Sequence, residues 1–387
     1  MREEQLLNER DYTDGFPIAD RMIFLNHAAV APISGRSAEA MKEYADQAAE
    51  AAYVGSGWYT GKIDAVRDLA AKVIGAKGRE EIAFIPNTTT GLAMVANGLN
   101  WQAGDSVVIT DVEYPANRYP WENLAKTKGI KLIEVKQRDD ARIHIEDVVD
   151  AIEDGTRVVS LSHAQFASGH RIDLKPISEA IHAKGGYLCV DGIQSVGVLP
   201  VDVRAMGIDF LSADGHKWML APEGLGIFYC KEELAEKLYP TVVGWMNMVD
   251  ADNYGQYQFE LLKDARRFEP GSSNVAGILG LGGSLALIME VGIDEIWQRV
   301  DALQAIAEKG LVEKGYRIFS PREKQEERSG ILIFEHPNKP ELHQKIVNEM
   351  ERSGVIIALR EGRLRVSPHF YNTVGHMKKF VEALPMI

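Results

Sequence analysis

Residues 187–218 read YLCVDGIQSVGVLPVDVRAMGIDFLSADGHKW. Two apolar runs, Tyr187-Val190 and Phe210-Ser212, have the length and composition of buried strands, and each gives way to a polar segment, Asp191-Gly192 in one case and Asp214-Gly215-His216-Lys217 in the other. Similar runs occur at Ile82-Ile85, Val107-Thr110, Lys131-Val135, Val158-Ser162 and Gly226-Tyr229, most of them separated by helix-length stretches. Residues 36–52 and 62–75 show apolar positions three and four apart, the spacing of amphipathic helices. Strands alternating with helices predict an α/β fold whose mostly parallel sheet is covered on both faces and gathers ligands at the carboxyl ends of its strands.

Beyond this block the pattern changes. Residues 244–274 are rich in Gly, Asn, Tyr and Trp, and loops of that length are commonly functional. A helix-forming stretch covers 276–315, and the remainder reads strand, strand, helix, strand, strand, helix. This divides the chain into a large domain over 20–275, a connecting helix over 276–292, and a smaller α+β domain formed by 1–19 with 293–387.

The chain of 387 residues is 45% hydrophobic and 26% charged, an ordinary globular composition that argues against disorder and low complexity. Its net charge of −13 repels nucleic-acid backbones and anionic membranes, so neither is an expected partner. No apolar run approaches the ~18 residues of a membrane span, and MREEQLLNER is too charged for a signal peptide. Only two cysteines occur, Cys189 and Cys230, each inside an apolar run; buried thiols fit a reducing compartment, and the expected location is the cytoplasm.

Two motifs fail on inspection. GSGWYTGK (55–62) departs from the phosphate-loop pattern at Ser56 and at Ile63, and GLGGSL (280–285) has Leu285 at the third glycine site of a dinucleotide fingerprint with no strand before it. No HExxH or paired CxxC is present and the ten histidines are scattered, so no metal is expected.

Three segments at predicted strand ends carry chemistry in combination. Asn87-Thr88-Thr89-Thr90-Gly91 follows the strand IAFI and starts a helix, offering free N–H groups, hydroxyls and a positive dipole end to a phosphate. Asp191 ends one strand and Lys217 follows the end of the next. Read singly these are a helix cap, a turn and a loop charge. Together they supply what pyridoxal phosphate needs: an anion site, an acid for the ring nitrogen and an amine for a Schiff base.

The order of FLNHAAVAP (24–32), NTTTGLAMVANGL, DVEYPANRYPW, LSHAQFASG, VDGIQSVGVLPVDV, DGHKWMLAPEGLGIFY, RRFEPGSSN and LRVSPHFYN (364–372) resembles that of class V aminotransferase-fold enzymes over nearly the whole chain. That family holds cysteine desulfurases, selenocysteine lyases, isopenicillin N epimerases and aminotransferases. The resemblance implies a fold-type I enzyme using pyridoxal 5′-phosphate, with Lys217 as the Schiff-base lysine, Asp191 on the ring nitrogen and Gln194 on the ring's phenolic oxygen. It places Thr88, Thr89 and His216 at the phosphate, with Ser272 supplied by the neighbouring subunit of a homodimer whose active site is shared across the interface. It puts Tyr114 where desulfurases stack a histidine on the ring, His163 and Gln165 on the ring's other side, and Arg365, with Asn26 and His27, at an amino-acid substrate whose α-carboxylate Arg365 holds.

The departures bear on the reaction. Desulfurases carry a catalytic cysteine shortly before this arginine, whereas residues 355–363 contain none. Tyr114 exchanges a near-neutral acid/base for a phenol of pKa about 10. Asp214 stands where desulfurases place a serine near the phosphate. An aminotransferase acting on an amino acid through Lys217 is the first reading. The alternatives are a desulfurase-like carbon–sulfur lyase or an epimerase lacking the cysteine, and, outside enzymes, a protein that binds the cofactor without turnover.

Overall fold

The computed structural model describes residues 7, 10–55 and 57–387. The rest of the amino-terminal part of the expected small domain, and Ser56 of the rejected phosphate loop, lie outside the described residues. The large body is a seven-stranded sheet. Its strands are β2 (Ile82–Ile85), β3 (Ser106–Thr110), β4 (Lys131–Val135), β5 (Thr156–Ser162), β6 (Tyr187–Asp191), β7 (Phe210–Asp214) and β8 (Gly226–Cys230), in the order β2-β8-β7-β6-β5-β3-β4. β4, β3, β5, β6 and β7 run parallel, while β8 is antiparallel to both β7 and β2, so the sheet is mostly rather than wholly parallel. Parallel strands must be covered on both faces, and β6 shows the consequence: Leu188 and Val190 feed one apolar cluster and Cys189 the opposite one, all with essentially no exposure. Trimming Leu188 to Ala would cost roughly 2–5 kcal/mol.

Helices α1 (Gly35–Ala51), α2 (Gly57–Val73), α3 (Thr88–Gly98), α4 (Pro115–Lys128), α5 (Ile145–Asp150) and α6 (Lys175–Ala183) belong to this body. α3 begins where it does because the Asn87 side chain accepts from Thr90 N at 2.9 Å, and α4 because Pro115 presets its first turn. The register aligns Ser162 with Asp191 and Asp191 with Ser212, so the carboxyl ends of three adjacent strands lie side by side.

The helix-forming stretch 276–315 is two helices, α7 (Val275–Val291) and α8 (Ile293–Glu313), bent by 81° at Gly292, whose φ of 89° is open to glycine at little cost. No single helix is long and apolar enough to cross a membrane among the described residues. The glycines of GLGGSL serve packing. A Cβ at Gly283 would stand 2.7 Å from the Arg36 carbonyl oxygen, and one at Gly282 would strike the Val66 side chain.

The second body is a four-stranded antiparallel sheet formed by β9 (Arg317–Ile318), β10 (Leu332–Glu335), β12 (Ala358–Arg360) and β13 (Arg363–Val366), covered by α8, α9 (His343–Arg352) and α10 (Val374–Ala383). Three strands, not two, follow α9. The extra one, β11 (Val355–Ile356), leaves this sheet to pair in parallel with β1 (Ile23–Phe24), so β1 and Leu25 pack with the small body although 20–25 read as part of the large one. Leu364 and Val366 face the small core, which turns Arg363 and Arg365 toward the large body.

Candidate active site

A pocket of about 170 Å³ opens at the carboxyl end of the large sheet, lined by Ala28, Ala29, Val30, Tyr114, Phe166, Gln194, His216, Lys217, Arg360 and Arg365. Five of the residues expected at the site from sequence, Tyr114, Gln194, His216, Lys217 and Arg365, therefore meet here from four separate segments. Lys217 follows β7 on a short turn and is largely buried; its Nζ makes no hydrogen bond or ion pair among the described residues and lies 5.5 Å from the centre of the Tyr114 ring. Burial pushes its ammonium down from the ordinary lysine value, with Asp191 opposing the shift.

Asp191 ends β6. Its Oδ1 accepts from Ile193 N at 3.0 Å, while Oδ2 is buried with no donor. Burial holds the carboxyl well above the ordinary aspartate value; the bond from Ile193 N works against that and the nearby Glu113 adds to it. Burial thus outweighs the mutual attraction of Asp191 and Lys217, and each leans toward its neutral form.

Thr88 links the α3 terminus to this centre. Its Oγ1 accepts from Asp214 N at 3.0 Å, and its carbonyl oxygen accepts from Ser212 Oγ at 2.9 Å. Thr89 is exposed beside it, and the first N–H groups of the helix have no intrahelical acceptor. Asp214 faces its own turn, with His216 Nδ1 3.0 Å from its Oδ1. The pair is angled away from a hydrogen bond, so both atoms keep bonding capacity.

Gln194 is pinned at both ends of its amide, donating to the Ala28 carbonyl at 3.1 Å and accepting from Trp218 Nε1 at 2.8 Å. Tyr114 is about half exposed and packs edge-on against Phe166. His163 is buried behind Asp191, donating its backbone N–H to the Asp191 carbonyl; burial drops its imidazole to about 3, so the ring is neutral with Nδ1 unpartnered.

Arg365 is buried with no carboxylate in ion-pairing reach among the described residues. Its contacts are long ones, 3.4 Å to the Phe166 carbonyl and 3.4 Å to Asn26 Oδ1, and Nε has no acceptor. Burial and Arg360 both disfavour its charge, yet a guanidinium stays ionised at neutral pH. Arg363, two residues earlier, is committed: its Nε donates to Glu335 at 2.9 Å and its guanidinium covers Phe319.

Two expected residues, His27 and Ser272, sit outside this pocket, while Asn26 stays with Arg365. His27 is fully buried behind the pocket, with Nδ1 on the Ser367 carbonyl at 2.8 Å and Nε2 on the Tyr371 hydroxyl at 2.9 Å, so the structure gives it a packing place and no nitrogen to offer a substrate. Asn26 faces Arg365 and orients it. Ser272 lines a different pocket of the same chain, with Phe84, Pro86 and Gly224.

Glu113 escaped the sequence reading. It is buried and accepts from Thr110 Oγ1, Asn117 Nδ2, the Ser162 N–H and hydroxyl, and Gln165 Nε2, tying the β3 end to the segment behind Asp191. Its partners at 162 and 165 come from a distant segment, which no local pattern marks.

A family model described as aminotransferase class V matches residues 23–380. The chain belongs to the class V aminotransferases. A probable cysteine desulfurase from Methanothermobacter thermautotrophicus is 30% identical over 98% of each chain. Among solved structures, the apo cysteine desulfurase of Thermococcus onnurineus superposes with a TM-score of 0.87 at 25% identity over 97% of each chain. A C-DES variant with glycine covalently linked to its pyridoxal-phosphate cofactor shares the fold-type I architecture, with a TM-score of 0.87 at 22% identity over 96% of this chain and 98% of that one. As a class V aminotransferase the chain is a pyridoxal-phosphate-dependent enzyme. Its own residues fit that group: Asp191 Oδ2 is a buried acceptor awaiting a donor, Lys217 Nζ is an uncommitted amine, Thr88 and Thr89 open a helix whose first N–H groups have no intrahelical acceptor, and His216 Nδ1 has no hydrogen-bond partner among the described residues.

Proposed function

We propose that this class V enzyme is an aminotransferase acting on an α-amino acid. The observation that supports this most is the pairing, in one pocket, of the uncommitted Lys217 amine with the anion-less Arg365, with the nearby Asp191 keeping a buried carboxylate oxygen that lacks a donor. Bound pyridoxal phosphate supplies an electron sink that makes the bond from the α-carbon to hydrogen acidic. Asp191 would hold the ring nitrogen protonated through Oδ2. Arg365 grips the α-carboxylate with its two-pronged fork. Tyr114 covers the site from the open side and excludes water. Lys217 Nζ would be the group that takes the proton from the substrate α-carbon, and as an amine without a scaffold partner it would be free to move that proton.

The desulfurase name of the relative favours a second reading, cleavage of a carbon–sulfur bond. Residues 355–363 offer no thiol for it, and the thiols of Cys189 and Cys230 are buried in strands, where burial pushes both far above the ordinary value. Sulfur would then leave as free sulfide. Incubating holoenzyme with a panel of amino acids and separating pyridoxamine phosphate from released pyruvate, ammonia and sulfide decides between the two. Pyridoxamine phosphate supports transamination, and sulfide with pyruvate overturns it in favour of lyase chemistry. Inverted substrate with neither product would mark an epimerase.

The same reading has the enzyme act as a cytoplasmic homodimer, with Ser272 completing the partner's phosphate site. The exposed Val242, Val243, Trp245, Tyr254, Tyr257 and Phe259 support a covering subunit, since so much clustered apolar surface is unusual on a monomer. Sedimentation equilibrium at micromolar concentration tests it.

A further inference from the structure

The pocket contains a second guanidinium that holding one α-carboxylate does not require. Arg360 ends β12, and the turn Glu361-Gly362, both at positive φ (47° and 75°), folds β13 directly back so that Arg360 and Arg363 face each other across the hairpin. The two part company there. Arg363 turns to Glu335 and Phe319, whereas Arg360 lines the pocket with Lys217 and Arg365. Among the described residues Arg360 has no carboxylate partner; its hydrogen bond goes to the Leu359 carbonyl at 2.7 Å. The tight hairpin fixes where the Arg360 backbone stands, and the bond to the Leu359 carbonyl is the guanidinium's anchor at the pocket.

Lys217, Arg360 and Arg365 thus crowd about 170 Å³. The carboxylates nearby face other groups: Asp191 acts on Lys217, and Asp214 Oδ1 lies 3.0 Å from His216 Nδ1, so neither is in ion-pairing reach of Arg360 or Arg365 among the described residues. A substrate with one negative group leaves one guanidinium facing another. A substrate with two removes the repulsion and gives each fork its acceptor.

We propose that the substrate carries two anionic groups, the α-carboxylate held by Arg365 and a second carboxylate or similarly shaped acid at the end of a short side chain held by Arg360. This rests on the reading of the pocket as an amino-acid site and adds the substrate class to it.

The probes are glutarate and butyrate, titrated calorimetrically into the holoenzyme, which reports recognition whatever the reaction. Wild type is expected to bind glutarate at least roughly 30-fold more tightly than butyrate, from one added charge-assisted contact. Arg360→Gln should bring that ratio within about threefold, while Arg363→Gln, which touches Glu335 instead, should leave it intact. Equal affinities in wild type, or a preference that survives Arg360→Gln, overturns the proposal. Cofactor lost from Arg360→Gln with the preference unchanged also overturns it, assigning Arg360 to the phosphate. A parallel comparison of kcat/KM for glutamate and glutamine separates the two claims. Glutarate discrimination without amino-group transfer would sink the aminotransferase reading alone, and turnover without discrimination would sink this one alone.

Discussion

Arg322 and Arg365 are both buried in the small domain, and they are treated in opposite ways. Arg322 is met on every side, by Glu308 at 3.1 Å, Gln304 at 2.8 Å and Asp301 at 3.4 Å, where the 320–330 segment crosses α8. Arg365 is buried at least as deeply and meets only a carbonyl and an amide, both at 3.4 Å. Taking a cation out of water costs several kcal/mol unless an anion compensates. Arg322 holds the fold together with its charge compensated internally. Arg365 leaves that compensation to a ligand, and its neighbours repeat the pattern: Asp191 Oδ2 and His163 Nδ1 are buried and unpartnered within the same few segments. Of these two buried guanidiniums, the uncompensated one marks the site and the compensated one marks the scaffold.

The largest expected effect tests the centre of that contrast. Lys217→Ala should lower turnover by roughly 10⁴-fold or more while the protein stays folded, because the amine it removes bonds to nothing in the scaffold. Borohydride reduction of wild-type holoenzyme followed by peptide mapping should tag Lys217; a tag on another lysine would dissolve the site.

Asp191→Asn should lower turnover by roughly 100- to 1,000-fold with cofactor retained, since an amide cannot keep a ring nitrogen protonated. Its effect on the cofactor-free protein runs the other way. The folded-state carboxyl is raised above its unfolded value, so its contribution to stability is present below pH ~4 and lost as pH rises through the folded value. Cofactor-free wild type should therefore lose thermal stability relative to Asp191→Asn as pH climbs above about 4. Parallel melting curves across that range would refute the claim that this charge is uncompensated.

The direct comparison comes next. Arg365→Ala is expected to lower kcat/KM on α-amino acids by roughly 30- to 1,000-fold, whereas Arg365→Met should cost cofactor-free stability no more than about 1 kcal/mol. Arg322→Ala should do the reverse, destabilising by about 2–3 kcal/mol because Glu308 loses its counter-charge and Asp301 keeps only Arg328, with kcat/KM per folded molecule changed little. Equal losses of stability in Arg365→Met and Arg322→Ala, read from urea midpoints, would erase the distinction. The smallest effect belongs to the double variant Cys189→Ala, Cys230→Ala, expected to cost on the order of 1–3 kcal/mol of stability and no turnover per folded molecule. Loss of turnover with an unchanged melting curve would return a thiol to the mechanism.

The local sequence determined the parts whose meaning is local. Apolar runs of strand length bounded by helix-length stretches specify a sheet covered on both faces, and a residue at the end of such a strand lies at its ligand-binding edge whatever packs around it. Asp191, Lys217 and the Thr88 helix start were legible for that reason, with the family's motif order assigning their roles. Tertiary structure decided what depends on partners far along the chain. Alternation along Arg363-Leu364-Arg365-Val366 puts both arginines on one face, and only the position of Glu335 on β10 separates the committed one from the free one. His27 looked like a substrate residue until Ser367 and Tyr371 claimed both its nitrogens, and Glu113 acquired its place from donors on another strand. Periodicity records which side of an element is buried. Whether a buried charge has been matched is set by side chains on other elements, 28 residues along the chain for Arg363 and 14 to 21 for Arg322.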